Sequence, residues 1–407
     1  GAGSIPLYDG AALARKGVVL VTINYRLGAF GYLAHPELTA ESPHRASGNY
    51  GTTDQIQALK WVQQNIAAFG GDPNNVTIFG ESAGAFSVVQ LLATPLAKGL
   101  YHRAITQSGG SFFPLRELGK RSFGVESAEK MGLELAAAGQ VESLQALRAL
   151  SADAILRAAS KAGFYKHVDV DVNVDGWVIP EQIHTIFAEG RQNRVPVMAG
   201  FNRDEISALP DYMAPLPETA ADFAQAVRDY YGEYADEYLA VYPDSTLQTS
   251  AYNATRDGLF GWQMVNLAKI TAKIKRNAYL YYFSHTPPGG EHDVAGPEGR
   301  GEWPLGAFHA GEIAYVFNNL DISNKYGPNW PEGQIRQADR RLAEMMSGYW
   351  VAFARKGEPK VKDLPAWGRY KAEVPRYMEF NAGYFQKGAQ QKTDLLAQAI
   401  SFWDKIY

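Results

Sequence analysis

The segment Val18 to Tyr25, Val-Val-Leu-Val-Thr-Ile-Asn-Tyr, is a continuous β-branched and apolar run, and such a strand is stable only when both of its faces are covered. It predicts a strand inside a parallel sheet with helices on either side, an α/β architecture. From Asp54 to Phe69, the residues Ile56, Leu59, Val62, Ile66 and Phe69 recur at steps of three and four, an amphipathic helix stopped by Gly70-Gly71 and Asp72-Pro73. A second strand at Val76-Thr77-Ile78-Phe79 and a helix from Ala85 to Leu92 complete the βαβα alternation of a doubly wound sheet. Short apolar runs at Ala104–Thr106, Val195–Ala199, Tyr279–Phe283 and Arg376–Phe380 supply later strands. Two alanine-rich, helix-patterned stretches, Val125–Ala162 and Pro217–Lys275, read as insertions within 115–190 and 208–275 that cap one end of the sheet. Thr286 to Pro304 reads as a long irregular loop. A helix over Gln334–Arg355 with Gly357 past its end precedes a C-terminal strand and a last helix near Thr393–Trp403. With no internal repeat or interdomain linker, residues 1–407 read as one domain.

The strand-to-helix junction carries Gly80-Glu81-Ser82-Ala83-Gly84. A serine at so sharp a turn presents an exposed hydroxyl, and crowding at the turn calls for small residues two positions before and after it, which makes Ser82 a candidate nucleophile. The Ala83 N–H would face a developing oxyanion. A serine nucleophile needs a base and a carboxylate that holds the base in the right tautomer, in the chain order serine, acid, histidine for this arrangement. Of the histidines after Ser82, namely His102, His167, His184, His285, His292 and His309, the last three suit that order. His309 stands in the small-residue turn Gly306-Ala307-Phe308-His309-Ala310-Gly311, where a ring can be presented at a sheet edge. For the acid, Asp204 and Glu205 both follow the apolar run ending at Gly200, and spacing does not choose between them.

With 46% hydrophobic and 12% aromatic residues the chain can bury a sizeable core. Its 39 lysines and arginines nearly balance 43 aspartates and glutamates, so no strong field favours nucleic acid or an anionic membrane, and neutral small molecules are the expected partners. The absence of cysteine excludes disulfides, thiolate metal sites and a cysteine nucleophile, but leaves the compartment open between cytoplasmic and exported. No apolar run reaches the ~18 residues of a membrane span. The chain starts at Gly1 rather than methionine, so an unseen leader says little. Asp171-Val172-Asn173-Val174-Asp175-Gly176 resembles the start of a calcium loop, yet the twelfth position is Gln182 and Pro180 interrupts, while Val168, Val170, Val172 and Val174 alternate as a strand does. No metal or other cofactor is expected. Phe112, Phe113, Phe260 and Trp262 are candidates for lining a substrate pocket, although packing is the commoner use of such residues.

These segments, taken together, resemble the type-B carboxylesterase family, which includes cholinesterases and bacterial para-nitrobenzyl esterases. The resemblance rests on Gly48-Asn49-Tyr50-Gly51 through Asp54-Gln55, Ala58-Leu59-Lys60-Trp61-Val62, Phe69-Gly70-Gly71-Asp72-Pro73 and Gly80-Glu81-Ser82-Ala83-Gly84. Asn24-Tyr25-Arg26, Gln107-Ser108-Gly109, Gly200-Phe201-Asn202-Arg203-Asp204-Glu205 and Phe308-His309-Ala310-Gly311-Glu312 follow in the same order, so it covers essentially the whole chain. It implies an α/β-hydrolase fold and a serine esterase acting through an acyl-enzyme, with Ser82 as nucleophile, Glu205 as acid and His309 as base. It also implies that Glu81 lines the site, that Ser108 lies near the acid, and that the working protein is a monomer or small homo-oligomer. The family's His-Gly-Gly-x-Phe loop, a source of oxyanion donors, is expected just before a segment like Gly1–Gly10. Without it the alternative is a catalytically impaired fragment or a protein-binding module of the same fold.

Overall fold

A computed structural model describes residues 2–164, 172–295, 302–322, 333–383 and 388–407. Six strands form the central sheet in chain order: β1 (Thr77–Glu81), β2 (Arg103–Gln107), β3 (Val197–Asn202), β4 (Ala278–Phe283), β5 (Arg376–Phe380) and β6 (Ala389–Thr393). The first five run parallel, and β6 closes the far edge antiparallel to β5. Every residue of β3 and β4 is buried, as the apolar runs demand when helices cover both faces. In β4, Leu280 and Tyr282 enter one core, whereas Tyr279, Tyr281 and Phe283 enter the other. The first core takes helices α1 (Tyr50–Asn65), α2 (Ala83–Ala93) and α3 (Trp262–Lys273), and the second takes α4 (Gln337–Lys356). α1 continues as a 3-10 turn, Ile66–Phe69, ending at Gly70 with φ 79°, the left-handed position that glycine fills without strain. No described helix is long and apolar enough to cross a membrane.

Three elements depart from the expectations drawn from sequence. Val18–Tyr25 is not a paired strand: it makes no backbone hydrogen bond among the described residues, and Val19, Val21 and Ile23 are 43, 39 and 38% exposed. Val18 and Leu20 pack on the second core while the alternate residues face outward. β6 was not expected, because Ala-Gln-Gln-Lys-Thr is polar; as an edge strand it leaves one side to water. The loop from Thr286 contains a short antiparallel ribbon, Asp293–Ala295 with Glu302–Pro304. The helices expected in the two alanine-rich stretches are present, as Ala128–Ala138, Leu144–Arg148 and Ala152–Lys161 in the first and Ala220–Tyr231, Ala235–Val241 and Leu247–Arg256, followed by α3, in the second. Asn173–Val174 is a two-residue strand. His167, Val168, Val170 and Asp171 lie outside the described residues. Asp175 accepts hydrogen bonds from the N–H groups of Trp177, Val178 and Ile179 through one oxygen, the work of a turn.

Candidate active site

β1 and α2 meet at Ser82, whose backbone is held at φ 52°, ψ −119°, a conformation that side chains other than glycine adopt only under strain. The turn is pinned because the Ser82 N–H donates to the Gln107 carbonyl (2.9 Å) and the Phe86 N–H to the Ser82 carbonyl (3.0 Å). The crowding expected around it is one-sided. A Cβ on Gly80 would stand 2.4 Å from the backbone of Gly84, whereas a Cβ on Gly84 would meet nothing within 4 Å. Only the first glycine is therefore required by packing. Ala83 opens α2, so its N–H is one of those that a helix leaves without an internal partner.

Glu205 begins the 3-10 turn that follows β3 and is fully buried. Its Oε2 lies 2.6 Å from His309 Nδ1, and its Oε1 accepts the Asn202 N–H at 2.6 Å. Asp204, one residue earlier, points elsewhere: its Oδ2 accepts the Ala307 N–H (2.7 Å) and pairs with Arg203. Asp204 thereby ties the histidine loop to the acid loop. The Ser207 hydroxyl adds a bond to the Leu305 carbonyl (2.6 Å) and Asn202 Nδ2 one to the Phe308 carbonyl (2.8 Å). His309 is thus delivered by a loop laced to the end of β3, although 104 residues separate it from Glu205.

The other imidazole nitrogen, Nε2, has Glu81 Oε1 at 3.1 Å, yet that oxygen makes no hydrogen bond among the described residues. Glu81 is close enough for charge but leaves the bonding direction of Nε2 free. The Ser82 hydroxyl makes no hydrogen bond among the described residues. Phe260 packs against the imidazole with ring centroids 5.2 Å apart. It sits on a one-turn π-helix, Asp257–Gly261, that precedes α3, the kind of local widening often found at functional sites.

The electrostatics are those of one ring among three buried carboxyls. Burial pushes Glu81 up to about 8, with the charges of Glu312 and Glu205 adding to it against the pull of His309. Burial, then the charge of Glu205, also raises Glu312. For His309 burial lowers the affinity for protons, but Glu81 and Glu205 outweigh it and bring the ring to about 9. Glu81 keeps its proton near neutrality, so there the direction of the His309 shift rests on Glu205.

Glu312 was not read from the sequence as a site residue, although it stands three positions after His309. Its Oε1 accepts from Gln107 Nε2 (2.8 Å) and its Oε2 from Asn202 Nδ2 (2.7 Å). Trp350 Nε1, which can only donate, bonds Gln107 Oε1 at 2.9 Å and so turns the Gln107 amide toward Glu312. Ser108 follows β2 with φ 53°, in the left-handed region, and its buried hydroxyl has no hydrogen-bond partner among the described residues. Of the aromatic candidates, Phe260 alone packs on the His309 ring among the described residues. Phe112 packs edge-on against Phe187 and Trp262 in the first core, Phe113 meets Tyr407, and Trp262 Nε1 donates to Asp404 (3.1 Å). His285 bonds the buried Asp339 at the start of α4 and serves the scaffold.

A family model described as the carboxylesterase family matches residues 1–403. The fumonisin B1 esterase of Sphingopyxis macrogoltabida is 37% identical over 379 residues, which are 91% of this chain and 65% of that protein. The para-nitrobenzyl esterase of Bacillus subtilis (strain 168) is 34% identical over 384 residues, 92% of this chain and 71% of that one. Among solved structures, a PNB esterase superposes with a TM-score of 0.78 at 28% identity, covering 99% of this chain and 77% of its own. The carboxylesterase EST55 of Geobacillus stearothermophilus gives 0.77 at 29% identity, covering 99% and 79%. This chain therefore spans about two thirds of the length of the first of these relatives.

Proposed function

The chain belongs to the carboxylesterase family and has the α/β-hydrolase fold, and from that premise we propose that it hydrolyses carboxylic esters of small molecules through an acyl-Ser82 intermediate. Ser82 Oγ attacks the ester carbonyl carbon while its proton passes to His309 Nε2. Glu205, on Nδ1, holds the imidazole in the tautomer that leaves Nε2 ready to accept, and stabilises the imidazolium once formed. The Ala83 N–H donates to the tetrahedral oxyanion. The imidazolium then protonates the departing alkoxide, and the same nitrogen takes a proton from the water that releases the acid.

The observation that carries this reading is the buried Glu205–His309 pair, whose free ring nitrogen reaches Glu81, the residue just before a serine forced into a strained turn. A protein-binding surface has no use for a buried, fully oriented imidazole. Glu81 assists as a neutral neighbour of Nε2 near pH 7, and Glu312 with Gln107 and Asn202 fixes the frame in which Glu205 sits. Residues 1–407 form one domain in this reading, with 115–190 and 208–275 as helical insertions over the site, working as a monomer or small homo-oligomer. Phe260 forms one wall of the ester pocket.

The test is Ser82→Ala assayed on p-nitrophenyl butyrate, with a fluorophosphonate as second probe. Turnover disappears and the adduct, mapped to Ser82 in the parent, fails to form. Turnover at the parent rate in the variant, or an adduct elsewhere, would overturn the proposal.

A further inference from the structure

Tyr252, Arg256 and Phe260 follow one another at steps of four, so they form a single stripe along the helix Leu247–Arg256 and the π-helical turn that continues it. The stripe meets the two loops that carry the triad acid and base. Tyr252 Oη accepts the Ser207 N–H (3.2 Å), Arg256 Nη1 donates to the Arg203 carbonyl (3.1 Å), and Phe260 packs on the His309 ring at 5.2 Å. The peptide joining Arg203 to Asp204 is thereby held at both ends, its carbonyl by Arg256 and its N–H by the Ala307 carbonyl (3.0 Å). Glu205 is the next residue, and the loop to which Ala307 belongs delivers His309. Arg256 is 7% exposed and Asp257 1%. Asp257 Oδ1 accepts from Arg256 Nε (2.7 Å) and Oδ2 from the Tyr242 hydroxyl (2.9 Å), so the guanidinium is neutralised and its planar fork fixed. A buried ion pair adds little to stability beyond what apolar residues of similar volume supply. What an arginine does add is a directed, charge-assisted bond to one carbonyl.

We propose that Arg256 is a positioning residue for ester hydrolysis: its bond to the Arg203 carbonyl sets the peptide plane from which Glu205 reaches His309, so the second helical insertion acts in catalysis by clamping the acid loop. This assignment rests on the esterase reading of Ser82, Glu205 and His309. Turning that plane would break the bond from the Asp204 N–H to Ala307 and swing the base of Glu205, whose 2.6 Å approach to Nδ1 leaves little slack. Misplacing a catalytic group by about 1 Å can cost ~10²-fold in rate. Phe260, on the same stripe, backs the imidazole itself, so acid and base are both referenced to one helix face.

The experiment compares the parent with three variants. Arg256→Met/Asp257→Asn removes both charges together and leaves no buried charge unpaired. Arg256→Lys keeps the cation but not the fork. Trp403→Phe removes the donor to Tyr242 Oη (3.0 Å) and so perturbs the scaffold on the far side of Tyr242. In the double variant kcat for p-nitrophenyl butyrate should fall by about tenfold or more while KM changes by about twofold or less, because an arrangement needed in the transition state is lost. Independently of turnover, the His309 imidazole is titrated by NMR in a Ser82→Ala background. Three carboxyls face that ring, Glu81, Glu205 and Glu312, and all are kept. A loosened Glu205 supports the imidazolium less, so the midpoint should drop by about half a unit or more in the double variant. Arg256→Lys, which retains the buried pair, should show the same changes at smaller size. Trp403→Phe should lower the melting temperature at least as far as the double variant does, with kcat and the His309 midpoint in place. A midpoint unmoved in both Arg256 variants, or an equal drop in Trp403→Phe, overturns the proposal. Failure of the parent to hydrolyse esters would sink the proposed function instead, while the titration still decides whether Arg256 places the acid.

Discussion

Replacing Glu205 by Gln keeps the shape of the side chain and removes its charge. Glu205 Oε2 lies 2.6 Å from His309 Nδ1. At an effective dielectric constant of about 20, a unit charge pair at that distance is worth ~6 kcal/mol. The glutamine oxygen can recover about 2 kcal/mol as a hydrogen bond to a charged ring, leaving ~4 kcal/mol of lost stabilisation when the imidazolium forms. At 1.36 kcal/mol per decade that is a fall of about 10³ in kcat. The amide adds a second fault: facing Nδ1 with its NH2 group, it favours the tautomer with the proton on Nε2, which cannot accept from Ser82. Stability should change by about 1 kcal/mol or less, because in that resting orientation, with the NH2 toward Nδ1, the glutamine oxygen accepts from the Asn202 N–H, a bond it gives up when it turns to the charged ring. Asp204→Asn is the matched control. It keeps an acceptor for the Ala307 N–H and weakens a pair with Arg203 whose side chains are 39 and 21% exposed, so its cost should stay within about tenfold. The assay is kcat for p-nitrophenyl butyrate together with the rate of fluorophosphonate adduct formation on Ser82, with thermal unfolding as the check on folding. Glu205→Gln retaining a tenth of parental turnover, or Asp204→Asn being the more damaging change, would refute the reasoning.

His309 is raised from an ordinary histidine value toward about 9, by Glu205 at neutral pH and by Glu81 as well once that carboxyl ionises at about 8. Activity should therefore climb with pH from about 6.5 toward 9, and Glu81→Gln, which removes a carboxyl 3.1 Å from Nε2, should move that limb about one unit lower in a kcat/KM profile; an unmoved or higher limb contradicts the assignment. Gly80→Ala forces a Cβ to 2.4 Å from the Gly84 backbone and should lower stability by about 2 kcal/mol or more in urea unfolding. Gly84→Ala should be neutral or stabilising, and equal costs for the two would show the crowding argument to be wrong. Ser82→Gly should abolish turnover yet raise the unfolding free energy by about 1 kcal/mol, since glycine accepts φ 52° without strain. A loss of stability there would mean that the turn stores none.

Several features were legible in the chain because they depend on neighbours in sequence. The strands β2 to β5 show as apolar runs, α1 as three-and-four periodicity stopped by glycine, α4 as a helical stretch with Gly357 past its end, and the Ser82 turn as a strand meeting a helix between small residues. Even the choice of His309 follows from a small-residue turn late in the chain. The tertiary structure decided what depends on approach across a distance. Asp204 and Glu205 are adjacent and chemically alike; they part company only because the 3-10 turn after β3 aims one carboxylate at the imidazole and the other at the loop that carries it. Glu312 acquires its place only when Gln107 and Asn202, on neighbouring strands, converge on it. Val18–Tyr25 makes the same point from the other side. Its composition determines that it wants both faces covered, but whether a strand is paired is settled by what lies beside it, and hydrogen bonds across a sheet leave no mark on the residues that make them.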